Sequence, residues 1–75
     1  MNFDQYLDAK GLSCPLPLLK MKQALNKMSS SQVLKVEATD SGSLRDFRVF
    51  CDQSGHQLQQ EEGENGEFIF FITKS

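Results

Sequence analysis

One segment of the chain, GLSCPLPLLK at residues 11–20, places a chemically reactive residue type beside two prolines. Cysteine, as its thiolate, acts as a nucleophile and as a metal ligand. Proline is tolerated in the first turn of a helix because the N–H groups of that turn have no partner within the helix. The segment therefore predicts that Pro15 is the first helical residue, that Pro17 lies in the same turn, and that Cys14 is at or next to the N-cap.

The predicted position of Cys14 gives its thiol two interpretations. Isolated cysteines often serve as small buried hydrophobic residues, and this one would then be an inert part of a helix cap. The prolines favour a presented thiol, because they stiffen the turn and hold the sulfur at the positive end of the helix dipole. A surface helix dipole contributes about 0.3–1 kcal/mol, whereas one pKa unit corresponds to about 1.36 kcal/mol. We therefore expect a modestly activated thiol, with Arg45 as the nearby cation.

The other residues of reactive type do not form a second site with Cys14. Cys51 lies on an apolar helical stripe with Leu44 and Phe47, which predicts a packed core residue. The chain contains two cysteines and one histidine, too few for a four-ligand zinc site, and it has no Cys-x-x-Cys dithiol. His56 follows a glycine just past the predicted helix, where we expect a role in the turn. The sequence therefore predicts neither a metal nor a cofactor.

The composition of the chain indicates a small folded domain and argues against several classes of protein. Its 75 residues have room for one core, and 39% hydrophobic and 24% charged residues are typical of a soluble globular domain. A formal net charge of −2 supplies no basic footprint, so we expect no direct nucleic-acid partner. The longest apolar run, FIFFI, is too short to span a bilayer, which predicts no membrane insertion. The first residues do not resemble a signal peptide, so we expect a cytoplasmic protein with reduced thiols.

Hydrophobic periodicity divides the first half of the chain into strand, helix and strand. A short strand is predicted at about residues 6–8, before Gly11. From Pro15 onward, apolar residues recur at steps of three and four, as on the buried face of a helix. The apolar stripe contains Leu18, Met21, Leu25 and Met28, and the opposite, solvated face contains Lys20, Lys22 and Lys27. In VLKVEAT, residues 33–39, apolar and polar residues alternate, which predicts a strand with one buried face.

Turn signals and a second helical pattern follow. The segment DSGS at residues 40–43 predicts a turn, and Ser43 with Asp46 three residues later predicts a capping box. The second helix ends near Gly55, which suits the C′ position. The segment HQLQQEE at residues 56–62 is a weak strand pattern.

The end of the chain carries the strongest β pattern, EFIFFIT at residues 67–73. Asn65 and Gly66 before it predict a hairpin turn. Alternation along this strand predicts three core residues, Phe68, Phe70 and Ile72. It also predicts that Ile69 and Phe71 form an exposed apolar patch on the opposite face.

The element order βαβαββ predicts an α+β two-layer sandwich, in which two helices pack on one face of a four-stranded mixed sheet. A right-handed crossover between two parallel first strands brings the carboxyl ends of both strands to one edge. The amino ends of both helices lie at the same edge, which is where open α/β sheets bind ligands. Cys14, Asp40 and Arg45 lie in the segments that meet there. They form the candidate site, with Asp40 and Arg45 in supporting positions.

Two segments, LDAKGLSCPLPLLKMKQAL and LKVEATDSGSLRDFRVFCDQSGHQL, resemble the TusA family of small sulfur-carrier proteins, also called SirA-like. The resemblance rests on the Cys-Pro-x-Pro motif after Gly-Leu and covers essentially the whole chain, which implies one βαβαββ domain over residues 1–75. It implies that Cys14 receives sulfane sulfur as a persulfide from a cysteine desulfurase or a rhodanese-type donor. The sulfur then passes to an acceptor protein, without a cofactor. Asp40, Arg45 and Asp46 match the family's acidic turn and the start of its second helix.

One residue within the motif departs from the family pattern. Family members that serve tRNA thiolation often have an acidic residue between the two prolines, whereas this chain has Leu16. The departure leaves the acceptor open among tRNA thiolation, sulfur oxidation, cofactor synthesis and regulation.

Two other classes of function remain beside the persulfide carrier, which is itself sulfurtransferase-like rather than a free-standing enzyme. The first is a non-catalytic regulatory module that binds a protein partner through its exposed sheet face, with Cys14 as a structural cap. The second is a nucleic-acid-binding domain of similar topology. The acidic net charge and the lack of aromatic residues among basic ones argue against the second class.

Overall fold

A computed structural model describes residues 2–75 and contains two helices and one four-stranded sheet. In chain order the elements are β1 (Gln5–Ala9), α1 (Leu16–Asn26), β2 (Val33–Ala38), α2 (Gly42–Ser54), β3 (Gln57–Glu62) and β4 (Phe68–Thr73). This is the predicted βαβαββ order, so the predicted α+β fold is confirmed. The weak HQLQQEE pattern forms a strand from Gln57 onward, because the backbone of Gln57–Glu62 pairs with β4.

The sheet has the strand order β1-β2-β4-β3. Strands β1 and β2 are parallel, with Ala9 opposite Ala38, whereas β4 pairs antiparallel with both β2 and β3. A parallel pair needs a crossover, and α1 provides it. The carboxyl ends of β1 and β2 therefore lie beside the amino ends of both helices, as the sequence predicted.

The core lies between one face of this sheet and the two helices. The fully buried side chains of this face include Leu34 and Val36 of β2 and Ile72 of β4. Phe47 of α2 and Phe70 of β4 are both fully buried, and their ring centroids are 4.6 Å apart. Aromatic pairs at this distance contribute beyond the area that they bury. The predicted apolar stripes of the strands and helices therefore meet in one cluster.

Two turns have the backbone that the sequence predicted. Gly55 ends α2 with φ +81°, and its N–H donates to the Cys51 carbonyl at 2.9 Å. Asn65 and Gly66 both have positive φ, as in the type I′ turn of a β-hairpin. The Asn-Gly pair thus fixes the pairing of β3 with β4.

The helix-free face of the sheet differs from the prediction. Phe71 is only 6% exposed and Ile69 is half-buried, so the predicted exposed apolar patch is wrong. Lys35 lies opposite Phe71 in the neighbouring strand, with its ammonium 5.9 Å from the ring centroid. Glu37 beside it accepts hydrogen bonds from the Tyr6 hydroxyl at 2.6 Å and the Lys10 ammonium at 2.9 Å. Long polar side chains therefore cover this face, because their apolar stems pack on it while their charged ends pair.

Truncation of the buried aromatic pair should destabilise the protein strongly. Phe47→Ala should lower the free energy of unfolding by about 3–5 kcal/mol, because it leaves a cavity beside Phe70. Urea denaturation followed by circular dichroism measures this change. Val49→Ala on the same helix is the matched control, since Val49 is 46% exposed. Equal effects of the two substitutions would contradict the assigned core.

Candidate functional site

The candidate site lies where the loop after β1 meets the loop after β2. The Cys14 N–H donates to an Asp40 carboxylate oxygen at 2.6 Å, and the Gly42 N–H donates to the other oxygen at 3.3 Å. The two loops pack closely here, since a Cβ at Gly42 would lie 3.4 Å from the Cys14 Cβ, at the edge of ordinary van der Waals contact. The Asp40 carboxylate therefore ties the two loops together. The structure brings Cys14 and Asp40 into direct contact, as the topology predicted.

Helix α1 begins two residues after the cysteine. Pro15 is the N-cap, with φ −98° and ψ 14°, and its carbonyl accepts the Leu19 N–H at 3.1 Å. The prediction of Pro15 as the first helical residue is therefore wrong by one position, and Cys14 precedes the cap. The Cys14–Pro15 peptide bond is cis. Pro17 is buried within the first turn. Its lack of an N–H costs no helical hydrogen bond there, because N–H groups of the first turn have no partner within the helix.

Asp46 of α2 is the side chain that contacts the thiol. The exposed Cys14 thiol donates to an Asp46 carboxylate oxygen, with Sγ and Oδ2 2.8 Å apart. The predicted capping box of Ser43 and Asp46 is absent, because Ser41 is the N-cap of α2 and makes no side-chain cap. The Ser43 hydroxyl is buried without a hydrogen-bond partner in the described part of the chain. The Asp46 carboxylate thus accepts a hydrogen bond from the Cys14 thiol and does not cap the start of α2.

The electrostatic environment raises the pKa of the Cys14 thiol above its ordinary value. The hydrogen bond to Asp46 is the largest cause, followed by desolvation and by the negative charges of Asp46 and Asp40, whereas Arg45 lowers the pKa. The expected modest activation is therefore wrong for the isolated protein. Two carboxylates beside the sulfur outweigh one exposed guanidinium. The isolated protein presents a neutral thiol.

Arg45 lies at the start of α2 with an exposed side chain, as the sequence predicted. Within residues 2–75 it forms no ion pair. It lines a shallow groove of about 200 Å³ between α1 and α2. The groove is lined by Leu18, Lys22, Arg45, Asp46, Val49, Phe50 and Gln53. Because Asp46 belongs both to this groove and to the thiol contact, the groove opens beside Cys14.

Exposed apolar side chains occur on both helices that form the groove. Leu16 and Leu19 of α1 and Val49 of α2 are each 46% exposed. Lys22 is half-buried, with its ammonium 5.0 Å from the centroid of the Phe50 ring, so it is not the fully solvated lysine that the sequence predicted. The two helices that begin beside the cysteine thus present apolar area together with both signs of charge.

Cys51 and His56 lie apart from this site. Cys51 is 1% exposed in the core, and burial raises the pKa of its thiol to about 11, with a smaller contribution from Asp52. His56 accepts the Ser75 N–H at Nδ1 at 3.0 Å, and burial and Lys74 lower its pKa. The predicted core role of Cys51 is confirmed, whereas the His56 ring bonds to Ser75 at the end of the chain and, within residues 2–75, makes no contact that would give it the predicted role in the turn.

Among residues 2–75, no cluster of three or more His, Cys, Asp and Glu side chains is arranged to hold a metal ion. Neither α1 nor α2 has the length and apolar character to cross a membrane.

The two thiols should differ in their reaction with iodoacetamide. Cys14 should be alkylated first, because it is exposed while Cys51 is buried. The rate at Cys14 should rise with pH through and above neutrality, since only the thiolate reacts and its pKa is raised. Peptide mapping by mass spectrometry at several pH values measures both effects. Earlier labelling of Cys51 would contradict the assignment of the two sites.

Comparison with known proteins gives consistent matches along the chain. The family model described as "Sulfurtransferase TusA" matches residues 5–74. The sulfur carrier protein TusA of Allochromatium vinosum is 55% identical over 74 residues, which cover 99% of this chain and 97% of that protein. The putative sulfur carrier protein YrkI of Bacillus subtilis is 40% identical and covers 99% of both chains. The crystal structure of a SirA-like protein from Desulfitobacterium hafniense aligns with a TM-score of 0.86 at 25% identity, covering 93% of this chain and 96% of that one.

Proposed function

The chain belongs to the TusA sulfurtransferase family and is a sulfur-carrier protein, and we propose that it holds the sulfur as a persulfide on Cys14. The observation that carries this proposal is the contrast between its two thiols. Cys14 is exposed at the meeting point of two helix starts, whereas Cys51 is buried in the core. Only Cys14 is accessible to another protein.

Loading and unloading are both thiol exchange reactions. In loading, the Cys14 thiolate attacks the outer sulfur of a persulfide on the donor protein. A bond forms between Sγ and that sulfur, the donor's S–S bond breaks, and the donor cysteine leaves as a thiolate that takes up the proton. In unloading, a thiolate of the acceptor attacks the outer sulfur, and Cys14 leaves with the electron pair. Neither step needs an oxidant, a reductant or a cofactor.

The separation of the two cysteines protects a persulfide of this kind. A second thiol beside Cys14 would attack the inner sulfur and release sulfide, leaving a disulfide. Cys51 is buried on the core side of α2 and its thiol has a raised pKa, so it does not compete. The groove between α1 and α2 supports docking of a partner beside the sulfur.

The partners and setting form the finer part of the proposal. A sulfur carrier requires a protein donor and a protein acceptor, and we assign the donor to the cysteine desulfurase or rhodanese class. Leu16 in place of an acidic residue, 46% exposed, gives the acceptor an apolar contact beside the motif. Two free thiols support a cytoplasmic setting, with residues 1–75 acting as one carrier domain. The regulatory-module alternative is not favoured, because polar side chains cover the helix-free sheet face.

Incubation with a persulfide donor should add the mass of one sulfur atom to the protein. The donor is a cysteine desulfurase with cysteine, or a rhodanese with thiosulfate, and intact-mass spectrometry follows the addition and its reversal by dithiothreitol. Cys14→Ser should abolish the addition without changing stability, because the side chain is exposed. Cys51→Ala should retain it. Uptake by the Cys14→Ser variant, or none by the wild type from either donor class, would contradict the proposal.

Arg45 should support the transfer through its charge. Arg45→Ala should slow sulfur uptake several-fold, because the guanidinium favours the Cys14 thiolate, while the free energy of unfolding changes little for an exposed side chain. Arg48→Ala, at an exposed position on the same helix, is the matched control for net charge. Stopped transfer reactions analysed by mass give the rates. Wild-type uptake by the Arg45→Ala variant would remove Arg45 from the site.

A further inference from the structure

Asp46 is a half-buried carboxylate within hydrogen-bond distance of the residue assigned to carry sulfur. Asp46 does not cap its own helix, since Ser41 is the N-cap of α2 and Asp46 lies beyond the cap. No ion pair involves Asp46 within residues 2–75. Within the described residues, the polar contact of the Asp46 side chain is therefore its hydrogen bond with the Cys14 thiol.

We propose that Asp46 is a positioning residue that holds the unloaded Cys14 as a neutral, hydrogen-bonded thiol, and that partners release it by bringing positive charge to the acidic pair Asp40 and Asp46. This inference rests on the proposed function, because it concerns the unloaded state of the same carrier. It assigns a chemical class to the partner surface: cationic beside the reacting sulfur, and apolar where it meets the groove.

The direction of the effect follows from the proton count. A neutral thiol has one S–H to donate to the carboxylate, whereas a thiolate has none and would face the Asp46 oxygen at about the same distance with like charge. Asp46 is not assigned as a general base. A carboxylate is a weaker base than a thiolate, so the proton in this hydrogen bond stays on the sulfur. The contact therefore stabilises the thiol.

The charges facing Cys14 leave a role for the partner. The described elements around the sulfur contribute two carboxylates, from the loop after β2 and from α2, and one guanidinium, from Arg45. These groups leave one formal negative charge at the site. The carboxylates prevail, because the pKa of the thiol is raised despite Arg45. A lysine or arginine on the partner would pair with Asp46, remove the hydrogen-bond acceptor and favour the thiolate at the moment of contact.

The first test uses iodoacetamide, a neutral reagent, on the protein without any sulfur donor. Asp46→Asn and Asp46→Ala should each alkylate Cys14 several-fold faster than the wild type at pH 7, and the pH profile of the rate should move to lower pH. Asp52→Asn changes the same charge at an exposed position on the same helix and should leave both unchanged. Thermal unfolding confirms that each variant is folded. A slower rate would make Asp46 a base, and an unchanged profile would make it structural; either result overturns the proposal.

The second test measures selectivity for charge with two methanethiosulfonate reagents, one carrying a trimethylammonium group and one a sulfonate. In each reaction the Cys14 thiolate attacks the reagent's divalent sulfur, an S–S bond forms, and methanesulfinate leaves with the electron pair. The wild type should react faster with the cationic reagent, after correction for the rates with free cysteine. Asp46→Asn should lose most of this preference. Equal corrected rates in the wild type would overturn the assignment of a cationic partner.

Neither test depends on sulfur uptake, so the two proposals fail separately. In one outcome, the protein shows the expected reactivity in both tests and still takes up no sulfur from either donor class. That result would support the role of Asp46 and contradict the persulfide-carrier proposal. Sulfur uptake on Cys14 together with an unchanged pH profile in Asp46→Asn would support the persulfide carrier and contradict the role of Asp46.

Discussion

The parallel pairing of β1 with β2 is the constraint on which the rest of the structure depends. It places Ala9 opposite Ala38, so both strands end at the same edge of the sheet. The crossover through α1 then returns along the sheet, and both helices begin at that edge. Cys14 and Asp40 can therefore meet although 26 positions separate them along the chain. The candidate site is a direct result of strand direction.

Because of this placement, two opposing electrostatic effects act on the sulfur atom of Cys14. The amino ends of α1 and α2 favour negative charge near Cys14. Asp40 occupies backbone N–H groups there, and Asp46 accepts the thiol proton in a hydrogen bond. The Asp40 carboxylate thus accepts the backbone N–H groups of Cys14 and Gly42 at the helix starts. In the isolated protein the carboxylates raise the pKa of the Cys14 thiol, which suits a carrier that reacts only with its partners.

The fold could be predicted from the sequence because its signals are local. The apolar stripes, the Asn65–Gly66 turn and the glycine at position 55 each depend on residues close in the chain. The convergence on Cys14 also followed, since topology alone brings the strand ends together. The cysteine motif supplied the family resemblance. These features required no knowledge of how individual side chains are oriented.

The remaining details depend on contacts between distant side chains. Asp46 sits three residues after Ser43, which suggested a cap, and no local signal indicated a hydrogen bond to a thiol 32 positions away. Phe71 alternates to the helix-free face, yet Lys35 of the neighbouring strand covers it. The sign of the pKa change at Cys14 was missed for the same reason, since Asp46 is its largest cause. The available clue was that Asp40 and Asp46 precede and follow Arg45 in the segment that the topology brings to the edge near Cys14.

Localisation of transferred sulfur tests the central claim most directly. The protein is incubated with a cysteine desulfurase and radiolabelled cysteine, the persulfide is trapped by alkylation, and the digested peptides are mapped. A persulfide on Cys14 predicts label on the peptide that contains Cys14, lost when the sample is reduced before trapping. Label on the Cys51 peptide, or no protein-bound label with a desulfurase that loads another carrier, would contradict it.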